Sequence, residues 1–316
     1  MLVYRPKPLV RTGFLWRLVL QAVPLAIVLG AAIPMRSEHR IITWGANARE
    51  WNRELGVDAV RLGCSDAPAK CVDQAERLAR DQGVDTAFLS IVLRAASAAS
   101  DARTYSQLSL NHPALNEVGF DDFVSQCQRQ KMSFPMVSAA LVDFAKGLKS
   151  ANPNLHLGLT LYMDQISSAS FPLVNLRQEF RQRIDYVHLY PHYRKEAQPF
   201  AATVETVRAM FPNAKVIGGV YAYDRRDYLP CARGSRATCS NEEELSLFKA
   251  TFQERWAMLM SGNISSIEFY PGNFGLEEEW RGWQDPRSCR ANRRQECIAN
   301  TQAMRRIVRS FTARVP

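Results

Sequence analysis

Two aspartates stand side by side at the end of the run "NEVGFDDFV", Asn116 to Val124. Adjacent carboxylates can divide the work of a hydrolytic site, one giving up a proton while the other holds charge or activates water. Asp is equally the residue that opens a helix, so Asp121 and Asp122 need the rest of the chain to be interpreted. Two further acids lie in comparable apolar runs: Glu268 in "SSIEFYPGN", the first choice as partner, and Asp164 in "LHLGLTLYMD", the second. A second chemistry comes from His188 and His192 in "IDYVHLYPHYR". On a strand, H-x3-H turns both imidazoles to one side, where with nearby acids they could hold a divalent metal for phosphodiester or amide hydrolysis. Arg61 and Arg94 would then hold a phosphate.

Eight short apolar runs place these residues: "IITWGAN", "VDAVRLG", "VDTAFLSIVLR", "LNEVGFDD", "LHLGLTLYMD", "IDYVHLYPHYR", "KVIGGVYAYD" and "SSIEFYPGN". Amphipathic helical stretches such as "VDQAERLARDQG" and "FAATVETVRAMFP" separate them and close near Gly, Asn or Pro. Strands alternating with helices predict an α/β fold, read here as a (β/α)8 TIM barrel. The competing doubly wound sheet lacks its usual G-x-G-x-x-G or phosphate-loop signature after an early strand.

In a barrel, the parity of each strand that is uniformly large and apolar faces the helices, and the other parity faces the axis. Leu155, Leu157, Leu159 and Leu161 form such an outer set, which turns His156, Gly158, Thr160 and Tyr162 inward. The same rule sends Arg61, Ser90, Arg94, Gly119, Asp121, Tyr186, His188, Tyr190, Glu268 and Tyr270 toward the axis, leaving Asp122 to begin the following loop. Charges turned into a protein interior must pair, so Arg61, Arg94, Asp121 and Glu268 are candidate mutual partners.

With Tyr162, Tyr190, Tyr221 and Tyr270 near one rim and carboxylates below, the cleft suits sugars. Their C–H faces stack on rings, and their glycosidic bonds need an acid and a second carboxylate. In strand order, and in having acids in "GFDDF" on the fourth strand and "IEFY" on the eighth, the chain resembles the secreted TIM-barrel glycoside hydrolases from Ile41 to Arg314. The chitinase-type D-x-x-D-x-D-x-E run is absent. The resemblance implies a catalytic acid on the fourth strand, which carries over only to Asp121 or Asp122. Across a barrel roughly 15 Å wide, acids on strands four and eight would stand about 7 to 9 Å apart, a gap that suits inversion. Arg61, Arg94, Tyr162, His188, Tyr190, His192, Tyr221 and Tyr270 would line the cleft. No cofactor is called for. The expected function is hydrolysis of an envelope or extracellular polysaccharide or glycoconjugate. The alternatives are the metal-dependent reaction of His188 and His192 and a carbohydrate-binding envelope protein without a working acid pair.

The N-terminus is different in kind. Arg5, Lys7, Arg11 and Arg17 precede "LVLQAVPLAIVLGAAIP", an apolar run without a charge. Residues 1–36 therefore read as a signal peptide or as a membrane anchor built on residues 14–34, followed by one barrel domain over 37–316 that is exported to the periplasm or cell exterior. Three close cysteine pairs fit an oxidising compartment: Cys64 with Cys71, Cys231 with Cys239, and Cys289 with Cys297, leaving Cys127 as a buried thiol. All three pairs fall in strand-to-helix loops. Their spacing is wrong for zinc. The formal charge of +9 contains five basic residues up to Arg36, so the remainder carries only +4, and nucleic-acid binding is not indicated.

Overall fold

The computed structural model describes residues 41–45, 49–191, 200–222, 241–270, 272 and 294–313. Eight strands pair in parallel and in chain order, and the first closes on the last: Ile41–Trp44 (β1), Ala59–Cys64 (β2), Ala87–Ile91 (β3), Leu115–Phe120 (β4), His156–Tyr162 (β5), Tyr186–Tyr190 (β6), Lys215–Tyr221 (β7) and Ser266–Tyr270 (β8). The register at closure sets Ile42 beside Glu268 on one side and Ala59 on the other. The fold is a (β/α)8 TIM barrel.

Helices on the outside complete it: Arg49–Leu55 (α1), Pro68–Gln82 (α2), Ala98–Leu108 (α3), Phe123–Arg129 (α4), Phe134–Leu148 (α5), Gln178–Arg181 (α6), Phe200–Met210 (α7), Asn241–Met260 (α8) and Arg294–Thr312 (α9). Local chemistry explains several boundaries. Helix α2 opens on a proline, whose missing N–H is no loss in the first turn, and ends where Gly83 adopts φ 70. Helix α5 opens the same way at Pro135. Among the described residues no helix is long and apolar enough to cross a membrane. The predicted N-terminal segment lies outside the described residues.

Two hydrophobic clusters divide the barrel wall by parity. The larger contains Leu157, Leu159 and Leu161 of β5, with Leu155 just before it, and lies between sheet and helices. Each of those side chains is essentially excluded from solvent, so each contributes roughly 2 kcal/mol of transfer free energy. The smaller holds Ile42, Ala59, Phe88, Tyr186 and Ile217, from the opposite parity of five strands. It is a plug inside the barrel, with the Phe88 and Tyr186 rings stacked at 5.8 Å. Polar residues of the same parity lie further along these strands, toward the ends where active sites of this fold are built.

One predicted strand is shorter than its apolar run. "VDTAFLSIVLR" implied a strand reaching Arg94 with its side chain toward the axis, but β3 stops at Ile91. Arg94 then sits just ahead of α3 and pairs with Asp101 of that helix at 3.1 Å, its side chain 46% exposed. Periodicity read the continuing apolar residues as strand, whereas the nearby carboxylate captures the guanidinium locally.

Candidate active site

Above the apolar plug, six strands send polar side chains to a common centre. Arg61 from β2 donates Nη1 to Glu268 of β8 at 3.3 Å, and Nη2 to Ser90 of β3 at 2.9 Å and Thr160 of β5 at 2.7 Å. His188 from β6 lies between two carboxylates, Nδ1 at 2.8 Å from Glu268 and Nε2 at 3.0 and 3.1 Å from the two oxygens of Glu117 on β4. Tyr190 donates its hydroxyl to Glu268 at 2.5 Å. Arg61, Glu117, His188 and Glu268 are all fully buried.

Close approach is possible because small residues line part of the wall. A Cβ on Gly158 would stand 1.9 Å from a Glu117 carboxylate oxygen, and one on Gly219 would stand 2.3 Å from the Tyr190 ring. Both strands give up a side chain so that a larger polar one from the neighbouring strand can lie over their backbone.

Burial opposes the Glu268 charge, yet Arg61 and His188 outweigh it and hold the carboxyl down at about 2. Burial and the nearby Arg61 both push His188 toward its neutral form, but Glu117 and Glu268 win and the imidazole pKa is raised. Arg61 and His188 thus each face a carboxyl group within the interior, the kind of pairing that lets such groups be buried.

Nearer the mouth, β4 delivers the adjacent acids. Asp121 follows the strand directly, and one of its oxygens accepts the Asp122 backbone N–H at 2.9 Å. Asp122 occupies the position before α4 with φ 40 and ψ 39, a left-handed conformation Asp tolerates better than most residues, and its side chain makes no bond to the helix it precedes. Instead it accepts the Tyr162 hydroxyl at 2.6 Å. The helix-cap reading of Asp122 therefore holds for its position and not for its side chain, which is turned toward the residues at the strand ends.

Asp121 is partly open, yet burial pushes its carboxyl up to about 6, the charge of Asp122 adds to this, and Arg61 opposes. Tyr162 and Tyr190 have phenols pushed well above their ordinary value, first by burial and then by Tyr221 and Asp122 at Tyr162 and by Glu268 at Tyr190, so both stay protonated donors.

Aromatic residues end five consecutive strands around this mouth: Tyr162 of β5, Tyr190 of β6, Tyr221 of β7, Tyr270 of β8 and Trp44 of β1. Successive ring centroids are 6.4, 5.4, 5.9 and 5.5 Å apart, a half-ring of edge and tilted contacts that starts beside Asp122. Trp44 also lies over the Arg61 guanidinium at 4.7 Å.

The structure thus gathers Arg61, Asp121, Asp122, Tyr162, His188, Tyr190, Tyr221, Glu268 and Tyr270. Glu268 is at the centre, but sealed by Arg61, His188 and Tyr190 and not facing the opening as a free partner acid. Asp164 is exposed in a short turn, Met163–Gln165, just after β5, and not on the axis. Arg94, as described, is outside the barrel on Asp101. His192 lies outside the described residues, and both ring nitrogens of His188 are engaged with carboxylates, which removes it as a ready metal ligand. Glu117 and Trp44 escaped the sequence reading, although the parity that turns Gly119 and Asp121 inward also turns Glu117 inward.

Of the three predicted disulfides, Cys64–Cys71 is formed, with S–S 2.06 Å and Cα–Cα 5.7 Å, joining the end of β2 to the first turn of α2. Cys231, Cys239 and Cys289 lie outside the described residues, as does the side chain of Cys297. Cys127 is a free, buried thiol, as expected, and burial pushes its pKa up to about 12.

No protein-family model and no curated protein sequence matches the chain. Solved structures do. The catalytic domain of a hyperthermophilic chitinase from Pyrococcus furiosus superposes with a TM-score of 0.50 at 12% identity, over 87% of this chain and 95% of that one. An exo-β-1,4-mannosidase from Opitutaceae bacterium strain TAV5 gives 0.51 at 10% identity, over 73% of this chain and 52% of the mannosidase. A GH18 chitinase from Pseudoalteromonas aurantia gives 0.46 at 12% identity, over 84% and 99%. The first two show a shared barrel fold. The chain spans about half the length of the mannosidase.

Proposed function

We propose that the chain is a glycoside hydrolase acting on a polysaccharide or glycoconjugate, with Asp121 as general acid and Asp122 as the second acidic side chain beside it. The observation that carries this reading is the coupled pair at the end of β4: burial and Asp122 leave Asp121 with a proton to give near neutrality, while Tyr162 holds Asp122 in place. In hydrolysis the Asp121 proton passes to the glycosidic oxygen as its bond to the anomeric carbon breaks. Water adds to that carbon and loses a proton to a carboxylate. Asp122 is suited to stabilising the positive charge that develops on the sugar ring. The aromatic half-ring supplies faces for the sugar C–H bonds.

The structural neighbours that share the fold include a chitinase and a mannosidase, which agrees with a carbohydrate substrate. We also place the barrel outside the cytoplasm, a reading supported by the basic and apolar N-terminal sequence and by the Cys64–Cys71 disulfide.

The test is release of new reducing ends from a panel of β-linked and α-linked polysaccharides and glycoconjugates, with and without a chelator. Hydrolysis that survives the chelator and disappears in the Asp121→Asn/Asp122→Asn double variant supports the proposal. Hydrolysis restored only by a divalent ion would favour the metal-dependent reading, and glycan binding without hydrolysis would favour a binding protein.

A further inference from the structure

The interior network contains one residue without an obvious task, since Glu117 is fully buried and meets His188 and not the mouth. Donor and acceptor accounting gives it one. Glu268 already accepts from Arg61 and from the Tyr190 hydroxyl, so it acts as an ionised carboxylate and the Nδ1 nitrogen of His188 must donate to it. On the other side Nε2 lies almost equally far from both Glu117 oxygens, at 3.0 and 3.1 Å. That is the arrangement of an N–H directed between two carboxylate oxygens. A proton on one of those oxygens would favour one short contact and one long one. Both ring nitrogens then carry protons.

We infer that Glu117 is a positioning residue that keeps His188 doubly protonated on the barrel axis, so that His188 and Arg61 together fix Glu268 as the anchor for the Tyr190 hydroxyl beneath the Asp121 site. Its importance for turnover rests on the hydrolase reading; the protonation state does not. The groups around the imidazole are consistent with it: Arg61 from β2, Glu117 and more distant Asp121 from β4, Tyr190 on its own strand, Glu268 from β8, and the edge-on Phe88 ring of β3 at 5.9 Å. The neutral partners Ser90 and Thr160 serve Arg61. Removal of the Glu117 charge leaves a buried cation with one carboxylate to share with Arg61.

The test is nitrogen-15 NMR of the full chain with labelled histidine. The wild type is expected to show both His188 nitrogens protonated well above about pH 6.5, where a free imidazole is half titrated. In Glu117→Gln that proton should leave at lower pH, and Glu117→Asp should restore it in part. A neutral single tautomer in the wild type at neutral pH would overturn the inference, as would an unchanged titration in Glu117→Gln. If Glu117→Gln fails to fold, the wild-type spectrum still decides. On a glycan the wild type hydrolyses, Glu117→Gln should lower kcat at least about tenfold with KM within about twofold. An unchanged kcat would overturn the positioning role. A wild type that hydrolyses no glycan would overturn the proposed function and leave the spectrum as the judge of this inference.

Discussion

Asp121 and Glu268 are carboxyls moved in opposite directions by their surroundings, and stability should record both. Against an ordinary Asp value near 3.8, burial and Asp122 raise Asp121 to about 6. Between those values the folded chain keeps a proton that the unfolded chain has released, so stability falls as pH rises through the window. The cost above it is of order 2 to 3 kcal/mol. Asp121→Asn should therefore raise the unfolding free energy at about pH 8 by up to that amount and change little at about pH 4, which denaturant titrations at the two pH values will check. Such a gain would mark a residue kept for chemistry at the expense of stability. Glu268 has the other sign. Burial is outweighed by Arg61 and His188, its folded value is about 2, and its contribution is present above the ordinary carboxyl range and lost as pH falls toward 2.

At the scale of the strand, parity decides which residues meet. Gly158 clears the space occupied by the Glu117 carboxylate, whose oxygen would stand 1.9 Å from an added Cβ. Gly158→Ala should consequently cost about 3 kcal/mol, combining overpacking with a displaced buried ion, and should disturb the His188 protonation seen by NMR. Gly147→Ala is a control in a helix, where the added Cβ meets Ala102 and backbone at 2.9 Å and no charged group, so it should destabilise without altering His188. The alternation running from Leu155 through β5, with four leucines on one side, made Thr160 and Tyr162 legible as interior residues before any coordinates. It also made Glu117 legible in principle, two residues before Gly119. Arg94 was misread because apolar residues continue past Ile91, where the chain has already left the sheet and Asp101 decides the guanidinium's place. Sealing of Glu268 was not legible either, since it depends on Arg61, His188 and Tyr190 arriving from two other strands.

Over the whole molecule, eight short β-type runs separated by amphipathic helices were enough to read the barrel, because each closes with its own stop signal and the order of pairing follows the chain. The Cys64–Cys71 bridge closes a short loop at the mouth. The chain-entropy model assigns it about 2 to 3 kcal/mol, so Cys64→Ser/Cys71→Ser should unfold at lower denaturant concentration with a modest change in slope. The larger consequence of the fold is the gradient along its axis: an apolar plug, then a buried hydrogen-bonded set of Arg61, Glu117, His188 and Glu268, then Asp121 and Asp122 beside the aromatic half-ring. In the proposed function, proton donation by Asp121 is the step on which that arrangement converges.

The direct measurement is the rate of reducing-end release against pH for the wild type and Asp121→Asn on a glycan from the panel. The wild-type rate should fall as pH rises past about 6, and the variant should lose about a hundredfold to ten-thousandfold with that falling limb abolished. A variant that keeps the wild-type rate, or the same falling limb, would contradict the assignment of the acid.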